Sequence, residues 1–297
     1  MTQLVFHTSD VFTDRPFAGN PLAIVLGADG LDTAQMQTIA REFNLSETIF
    51  VQTPDDPGNT AKVRIFFPTA EIPFAGHPTI GCAVLLATQA HPAGDFDTQI
   101  LLEEVAGLVP VAVTRRGDTV IAEFTAPKIP VLHTQPPDLA LIAAALDLSI
   151  GQIGPHNPGV YQGGPPFLFI PVTDTAALAA ARPIEPHWSA LMQAARVDCG
   201  YLYTPGIAAD YQGRMFSPTA GIPEDPATGS ASAILAAQLL ANGALPDGTT
   251  ALALLQGAEM GRPSHVRLTV DVADATITAV RVAGTAVPIA SGLIRVP

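Results

Sequence analysis

Hydrophobic and polar residues alternate over short stretches in the first half of the chain. These stretches are rich in β-branched and aromatic residues and are bounded by Gly, Pro, Asp or Asn, as is typical of β-strands. Two other segments have a helical pattern: Thr33–Phe43 has one apolar face, and residues 78–90 are apolar nearly all round and should be buried. The predicted strands are residues 4–12, 22–27, 48–53, 62–67, 108–114 and 119–125.

The second half has the same mixture of strands and helices. Prolines, which interrupt helices and strands, are frequent in residues 125–137, "TAPKIPVLHTQPP". This segment is the expected link between two domains. The helix that begins near Pro226 is again apolar on most of its surface. The predicted strands are residues 167–172, 199–204, 211–216, 251–256, 265–272, 276–284 and 292–296, and the predicted helices are 137–146, 186–196 and 226–240.

An internal repeat gives the clearest information on domain organisation. "RIFFPTAEIP" from Arg64 and "RMFSPTAGIP" from Arg214 agree at seven of ten positions with an offset of 150 residues. Each is followed by a glycine and a long apolar helix, so we expect a duplicated architecture. The sequence predicts an α+β fold of two pseudo-symmetric domains, each a curled sheet around one apolar helix. We place the domains at residues 1–127 and 128–285, with a strand at 286–297 that could return to the first.

Composition narrows the possible functions. The chain is 48% hydrophobic and carries a formal net charge of -13, which argues against a nucleic-acid partner because such proteins concentrate Lys and Arg. The amino terminus lacks the features of a signal peptide, and no stretch offers about 18 apolar residues without breakers. We therefore expect a cytoplasmic protein with no membrane partner. Cys82 and Cys199 form no Cys-x-x-Cys pair, so no metal site is expected.

The starts of the two apolar helices are the candidate functional positions. Asp225-Pro226 is a typical helix N-terminus, so Asp225 reads either as a cap or as a group that faces a ligand, and His77-Pro78 offers the same choice. Small residues follow each pair and leave backbone amides that could hold the carboxylate of a small-molecule substrate. The small residues that we expect in substrate binding are Thr79 in the first segment and Thr228, Gly229 and Ser230 in the second.

Four strings resemble the PhzF-like phenazine biosynthesis proteins, which share the diaminopimelate epimerase fold. They are "DVFTDRPFAGNPLAIV" from Asp10, "LSETIFV" from Leu45, "EIPFAGHPTIG" from Glu71 and "GIPEDPATGSA" from Gly221, in this order along most of the chain. The resemblance implies two domains, each a strand barrel around a central helix, with the active site in the cleft between them. It also implies a homodimer that needs no metal, nucleotide or other cofactor.

The resemblance further implies a reaction and a set of residues. In the isomerisation of trans-2,3-dihydro-3-hydroxyanthranilate, a proton leaves C3, one returns at C1, and the enol becomes a ketone. Glu47 would be the shuttling acid/base, and His77 and Asp225 would bind and polarise the substrate. Ser46, Gly76, Gly229 and Ser230 would complete the pocket. Without the resemblance, Ser46-Glu47-Thr48 reads equally well as a turn with a solvated acid.

The same fold supports amino-acid epimerisation by two opposed cysteines at helix starts, and this sequence departs from that pattern. Ala75 and Gly76 occupy the first helix start and Asp225-Pro226 the second, while Cys82 lies about a turn inside its helix. The expected function is therefore a cofactor-independent isomerase that moves a proton between carbons of a small amino or hydroxy acid. Two alternatives remain: an epimerase or racemase that uses Glu47 with Asp225, and a metabolite-binding protein without turnover.

Overall fold

A computed structural model describes residues 2–297 of the chain. The chain divides into two compact units, which are described separately below. The first unit consists of the residues up to Pro127 together with Val282–Pro297, and the second unit is Lys128–Arg281. The last strand contains residues of both units because it runs from Thr276 to Arg295.

Strands and helices alternate through the first unit. Residues Asp32 and Gln35 form a capping box at the start of its amphipathic helix, which explains why that helix has sharp bounds. The elements are β1 (Gln3–Val11), β2 (Asn20–Leu26), α1 (Thr33–Phe43), β3 (Glu47–Gln52), β4 (Ala61–Phe66), β5 (Glu71–Ile72), α2 (Gly76–Ala90), β6 (Phe96–Glu104), β7 (Gly107–Arg116) and β8 (Thr119–Thr125).

Strands and helices also alternate through the second unit. Its elements are β9 (Val131–Thr134), α3 (Leu139–Ala145), β10 (Gly159–Gln162), β11 (Pro166–Pro171), α4 (Thr175–Ala180), α5 (His187–Ala195), β12 (Cys199–Pro205), β13 (Tyr211–Ser217), β14 (Ile222–Asp225), α6 (Gly229–Ala241), β15 (Gly248–Gln256), β16 (Ser264–Ala273) and β17 (Thr276–Arg295).

The strands of the first unit form a closed barrel around α2. From β1 the pairing runs through β2, β3, β4, β6, β7 and β8, and β17 pairs with both β8 and β1 to close the ring. Helix α2 is buried along most of its length, as its apolar sequence requires. It packs so closely on β1 and β2 that a Cβ at Gly81 would lie 2.6 Å from Leu22 and 2.8 Å from Val11.

The second unit repeats this order of pairings. Strands β10 and β11 are antiparallel, β11 and β12 parallel, β12 and β13 antiparallel, β13 and β15 parallel, and β15 and β16 antiparallel. The corresponding strands β1, β2, β3, β4, β6 and β7 pair with the same directions. Helix α6 takes the place of α2 and is buried through most of its length. The expected α+β fold, with a strand barrel around an apolar helix, is confirmed.

The two arginines of the sequence repeat, which had no assigned role, form the same structural contact in each unit. Arg64 donates two hydrogen bonds to the carboxylate of Glu71, and Arg214 donates two to Glu224. Each guanidinium also lies over the ring of the phenylalanine two residues later, Phe66 or Phe216. The repeated arginines therefore join β4 to β5 and β13 to β14, which precede the two central helices.

The structure corrects several predicted bounds. Helix α6 begins at Gly229 and not at Pro226, because Ile222–Asp225 forms β14 against β13. Strand β6 was missed because its sequence, "FDTQILLEE", mixes polar residues with apolar ones over much of its length. The short helix α4 was also missed, and the two last predicted strands are one continuous strand, β17.

Candidate active site

Glu47 and His77 form a buried contact in the first unit. Glu47 is the first residue of β3 and His77 is the second residue of α2, and their side chains meet with His77 Nδ1 3.2 Å from Glu47 Oε2. Glu47 is 6% exposed and His77 is 2% exposed. The solvated turn that the isolated sequence allowed for Glu47 is therefore wrong, because its side chain is enclosed by the fold.

His77 is neutral at pH 7. Burial lowers the pKa of its imidazole to about 3, against the opposing effect of a hydrogen bond with the backbone of Pro21. Glu47 Oε2 therefore lies against an uncharged ring nitrogen and not against a cation. His77 thus does not hold Glu47 in its ionised form, as a cation in its place would.

Asn20 belongs to the same cluster, although sequence reasoning could not place it there. Its Nδ2 lies 3.3 Å from His77 Nδ1. Asn20 begins β2, directly after Gly19, whose φ is 66° and whose absent Cβ would lie 2.3 Å from the Val11 carbonyl oxygen. Only glycine fits this close approach, so Gly19 is the local reason that the chain can present Asn20 to His77.

Asp225 has a buried position in the second unit, at the end of β14. Its Oδ2 accepts a 2.6 Å hydrogen bond from the hydroxyl of Thr228, and Asp225 is 4% exposed. The N-cap of α6 is Thr228, and no side chain caps this helix. The interpretation of Asp225 as a helix cap is therefore wrong. Its carboxylate accepts a hydrogen bond from a neighbouring hydroxyl.

Gln256 organises this turn. Its amide oxygen accepts a hydrogen bond from the backbone N–H of Thr228, and its Nε2 donates to the Asp225 carbonyl and to the Thr228 hydroxyl. Gln256 is the last residue of β15, the strand that follows α6. A sequence pattern could not reveal this contact because it joins residues 28 and 31 positions apart.

Both central helices begin without a side-chain cap. Amides of the first turn have no acceptor within an α-helix, and the N-terminus carries partial positive charge. Gly76 lies in this position in α2, and Gly229 and Ser230 lie there in α6. These starts have the donors that a carboxylate ligand needs.

The other predicted residues differ in their exposure. Ser46 is half-buried directly before β3, next to Glu47. The hydroxyl of Thr79 is fully used inside the first unit, where it contacts the Ala75 carbonyl and the Glu104 carboxyl group at 2.7 Å each. The hydroxyl and amide of Thr228 are likewise used inside the second unit. The two threonines therefore support the helix starts, and their direct contact with substrate stays a prediction.

A comparison with protein families identifies the chain. The model for phenazine biosynthesis-like proteins, the PhzC-PhzF family, matches residues 9–292. The protein belongs to the PhzC-PhzF family. An uncharacterized isomerase from Mesorhizobium japonicum is 41% identical over 291 residues, which are 95% of this chain and 96% of that protein.

Two further comparisons define the relation more closely. The trans-2,3-dihydro-3-hydroxyanthranilate isomerase of Pseudomonas aeruginosa is 37% identical over 284 residues, which cover 95% of this chain and 96% of that enzyme. The crystal structure of a PhzF-family phenazine biosynthesis protein from Bacillus anthracis has the same fold, with a TM-score of 0.87, 24% identity, and coverage of 99% of this chain and 100% of the other. This PhzC-PhzF protein is accordingly an isomerase.

The cysteines of this PhzC-PhzF protein do not suit a mechanism with two thiolates. Cys82 is buried, and its burial, with the nearby Glu104 carboxyl group, raises the pKa of the thiol far above its ordinary value. Burial likewise raises the pKa of Cys199 to about 11. Thiolate catalysis needs a lowered pKa. Within residues 2–297, no group of three or more His, Cys, Asp or Glu side chains is arranged to hold a metal ion.

Proposed function

We propose that this isomerase moves a proton between two carbon atoms of a small amino or hydroxy carboxylic acid, and that trans-2,3-dihydro-3-hydroxyanthranilate is its first candidate substrate. The buried contact between Glu47 and His77 carries the proposal. A group that takes a proton from one carbon and returns one to another must be shielded from water and able to exist in both forms. The activity named for the 37% identical relative requires such a step.

The reaction begins when the Glu47 carboxylate takes the proton from C3 of the ring. The electron pair left behind spreads into the neighbouring double bonds, and a proton returns at C1. The enol that results becomes the ketone by a further proton shift. No atom is gained or lost, and Glu47 is regenerated, so the chemistry as proposed needs no cofactor.

His77 and Asp225 would bind and polarise the substrate. A neutral His77 beside Glu47 does not hold the carboxyl group in its ionised form, and this suits a residue that must take up and release a proton. The Asp225 carboxylate is an acceptor for the amino or hydroxyl groups of the substrate. The amides at Gly76, Gly229 and Ser230 would hold its carboxylate, so an acidic protein can bind an acidic ligand without an arginine.

An epimerase that uses Glu47 with Asp225 is a second candidate, because both carboxyl groups are buried. It would take a proton from a carbon and return one to the same carbon with inversion. A metabolite-binding protein would exchange no carbon-bound hydrogen at all. The three functions therefore differ in where deuterium from the solvent enters a bound compound.

The experiment incubates the purified protein with trans-2,3-dihydro-3-hydroxyanthranilate in D₂O and follows each ring carbon by NMR. We expect the signals of the keto product, with deuterium at C1. Deuterium at the original carbon of an inverted compound would replace the isomerase with the epimerase. Recovery of unchanged, unlabelled compound from this substrate and from a panel of related amino and hydroxy acids would contradict both.

We also propose that the protein is a cytoplasmic homodimer, as the family resemblance implies. None of the helices formed by residues 2–297 is both long enough and apolar enough to cross a membrane. Light scattering during size-exclusion chromatography measures the mass directly. We expect twice the mass of the 30.8 kDa chain, and a mass of one chain would contradict the dimer.

A further inference from the structure

Glu104 is a buried carboxyl group that the proposed proton transfer does not use. It is the last residue of β6 and is 8% exposed. Its Oε1 lies 2.7 Å from the hydroxyl oxygen of Thr79, in the first turn of α2. Among residues 2–297, its other oxygen, Oε2, has no hydrogen-bond partner. A buried carboxyl with one oxygen unpartnered calls for a physical reason.

The hydrogen bonds around Thr79 reveal the protonation state. The Thr79 hydroxyl has one proton, but its oxygen lies 2.7 Å from two acceptors, the Ala75 carbonyl and Glu104 Oε1. An ionised Glu104 would leave one of these two contacts without a hydrogen atom. A protonated Glu104 donates to Thr79, which then donates to Ala75, and both contacts become hydrogen bonds.

Burial of Glu104 also favours its protonated form. It raises the pKa of Glu104 to about 8, and the hydrogen bond with Thr79 offsets only part of this effect. A charge at this position would be deprived of water and of a counter-ion. The carboxyl group is therefore neutral at pH 7.

The second unit has a similar chain of hydrogen bonds, with an amide in place of the acid and a carboxylate in place of the Ala75 carbonyl. Gln256, at the end of β15, donates from Nε2 to the hydroxyl of Thr228, which donates to Asp225 Oδ2. Strand β15 follows α6 as β6 follows α2, so Gln256 corresponds to Glu104 in the order of elements. An amide never ionises in the working range of pH. The duplicated fold thus uses a neutral donor twice to hold the start of its central helix.

We propose that Glu104 is a positioning residue which, as a neutral carboxylic acid, fixes the first turn of α2 and so holds His77 against Glu47. The proposal rests on the proposed roles of His77 and Glu47. When Glu104 ionises at alkaline pH, Thr79 loses the donor and the turn gains a buried charge. The site then loosens although neither His77 nor Glu47 has been altered.

The surroundings of Glu104 contain few groups that could compete with it. Cys82 on α2 interacts electrostatically with Glu104, and its thiol stays protonated. Across the pair of strands β6 and β7, Glu104 lies opposite Gly107, at the end of β7 away from its arginines. The titratable and charged side chains on the elements packed against β6 are His77 and Cys82 on α2, Lys62 and Arg64 on β4, and Arg115 and Arg116 on β7.

The first experiment measures unfolding in denaturant as a function of pH for the wild type and Glu104→Gln. In the unfolded chain Glu104 loses its proton near pH 4.5, whereas in the folded chain it keeps the proton until about pH 8. Within this window the folded state binds the extra proton, so wild-type stability falls as pH rises. Relative to Glu104→Gln, the wild-type unfolding constant should rise about tenfold per pH unit and level off above the window.

Glu103→Gln is the matched control. It removes a carboxyl group one position earlier on β6, where hydrogen bonds from Asn59 and two backbone amides lower the pKa of Glu103. Glu103 is therefore ionised throughout the window in which Glu104 holds its proton, and this variant should keep the wild-type slope. Parallel curves for the wild type and Glu104→Gln would show that Glu104 is ionised in the folded protein and would overturn the proposal.

The second experiment tests positioning. The kcat/KM of the wild type should fall above about pH 8, whereas Glu104→Gln should keep its activity there because the amide still donates to Thr79. Glu104→Leu, which has no donor, should lower kcat about tenfold or more at every pH. A positioning role would be contradicted if kcat/KM fell above about pH 8 in Glu104→Gln as it does in the wild type. A fully active Glu104→Leu would contradict it as well.

Hydrogen exchange separates this proposal from the proposed function. At pH 9, peptides that contain Gly76 and His77 should exchange faster in the wild type than in Glu104→Gln, whether or not a substrate has been found. Equal exchange would overturn the positioning role even if the isomerase activity is confirmed. If Glu104→Leu fails to fold, Thr79→Val removes the same hydrogen bond and should increase exchange in these peptides at neutral pH.

Discussion

At the scale of single residues, burial holds two titratable side chains near the start of α2 in their neutral forms. It lowers the pKa of His77 to about 3 and raises the pKa of Glu104 to about 8. The physical cause is the same, because a low-dielectric site disfavours the imidazolium and the carboxylate alike. The positive character of this helix start therefore comes from its backbone amides and not from a protonated histidine.

His77→Asn tests this assignment on the acid side. In the unfolded chain His77 takes up a proton below pH 6.5, while in the folded protein it stays neutral down to about pH 3. The wild type should lose stability as pH falls through this window, by about 1.4 kcal/mol per pH unit at most. The variant should lack this component in denaturant titrations.

His265→Asn is the control for this prediction, because His265 is exposed on β16. Its curve should run parallel to that of the wild type. A His77→Asn curve that also ran parallel would mean that His77 is charged in the folded protein.

Sequence reasoning found single residues where a motif was local and missed those whose roles depend on distant partners. Glu47 and His77 lie within quoted motifs, and the structure brings them together over 30 positions of sequence. Asn20 and Glu104 contact residues 57 and 25 positions away. The Asp-Pro pair allowed a cap as one of two interpretations of Asp225, but strand pairing in β14 places the start of the helix at Gly229.

At the scale of elements, the two repeated arginines differ in what they hold together. Arg64 binds Glu71 and the Thr33 hydroxyl at the surface of the first unit. Arg214 is 8% exposed and binds Glu224 together with the carbonyls of Leu178, Ala179 and Ala181 at the end of α4. Arg214 thus joins three elements, β13, β14 and α4.

Arg214→Lys should consequently be more harmful than Arg64→Lys. A lysine cannot reproduce the planar array of donors, so the half-buried Glu224 and the α4 carbonyls would lose partners. We expect a loss of about 3 kcal/mol in the free energy of unfolding for Arg214→Lys and about 1 kcal/mol for Arg64→Lys. Denaturant unfolding measures both. Equal losses would show that the contacts with α4 contribute nothing.

Most elements could be predicted because their patterns are strong. The bounds of α1 were predicted residue by residue, since an amphipathic face and a capping box coincide there. The sequence of β6 carries polar residues on both sides of the strand, so its place in the barrel depends on pairing with β4 and β7. The short strands β9 and β14 likewise exist only through their partners.

At the scale of the whole molecule, one architecture occurs twice with different chemistry at the helix starts. The first unit carries a histidine in contact with a glutamate, and the second carries an aspartate whose carboxylate accepts a hydrogen bond from a threonine. The repeat in the sequence predicted the duplication, and the family resemblance implied the strand barrels. The repeat could not predict this division, because the chemistry lies in the positions where the two halves differ.

The most direct measurement is the steady-state activity and substrate affinity of Glu47→Gln. Glutamine keeps the size and hydrogen-bonding capacity of the side chain but cannot take up a proton from carbon. We expect kcat to fall by about 1,000-fold while the dissociation constant of the substrate changes by less than about threefold. Glu42→Gln, at an exposed position on α1, removes the same charge and should remain fully active. A Glu47→Gln enzyme that turns over at the wild-type rate would contradict the account.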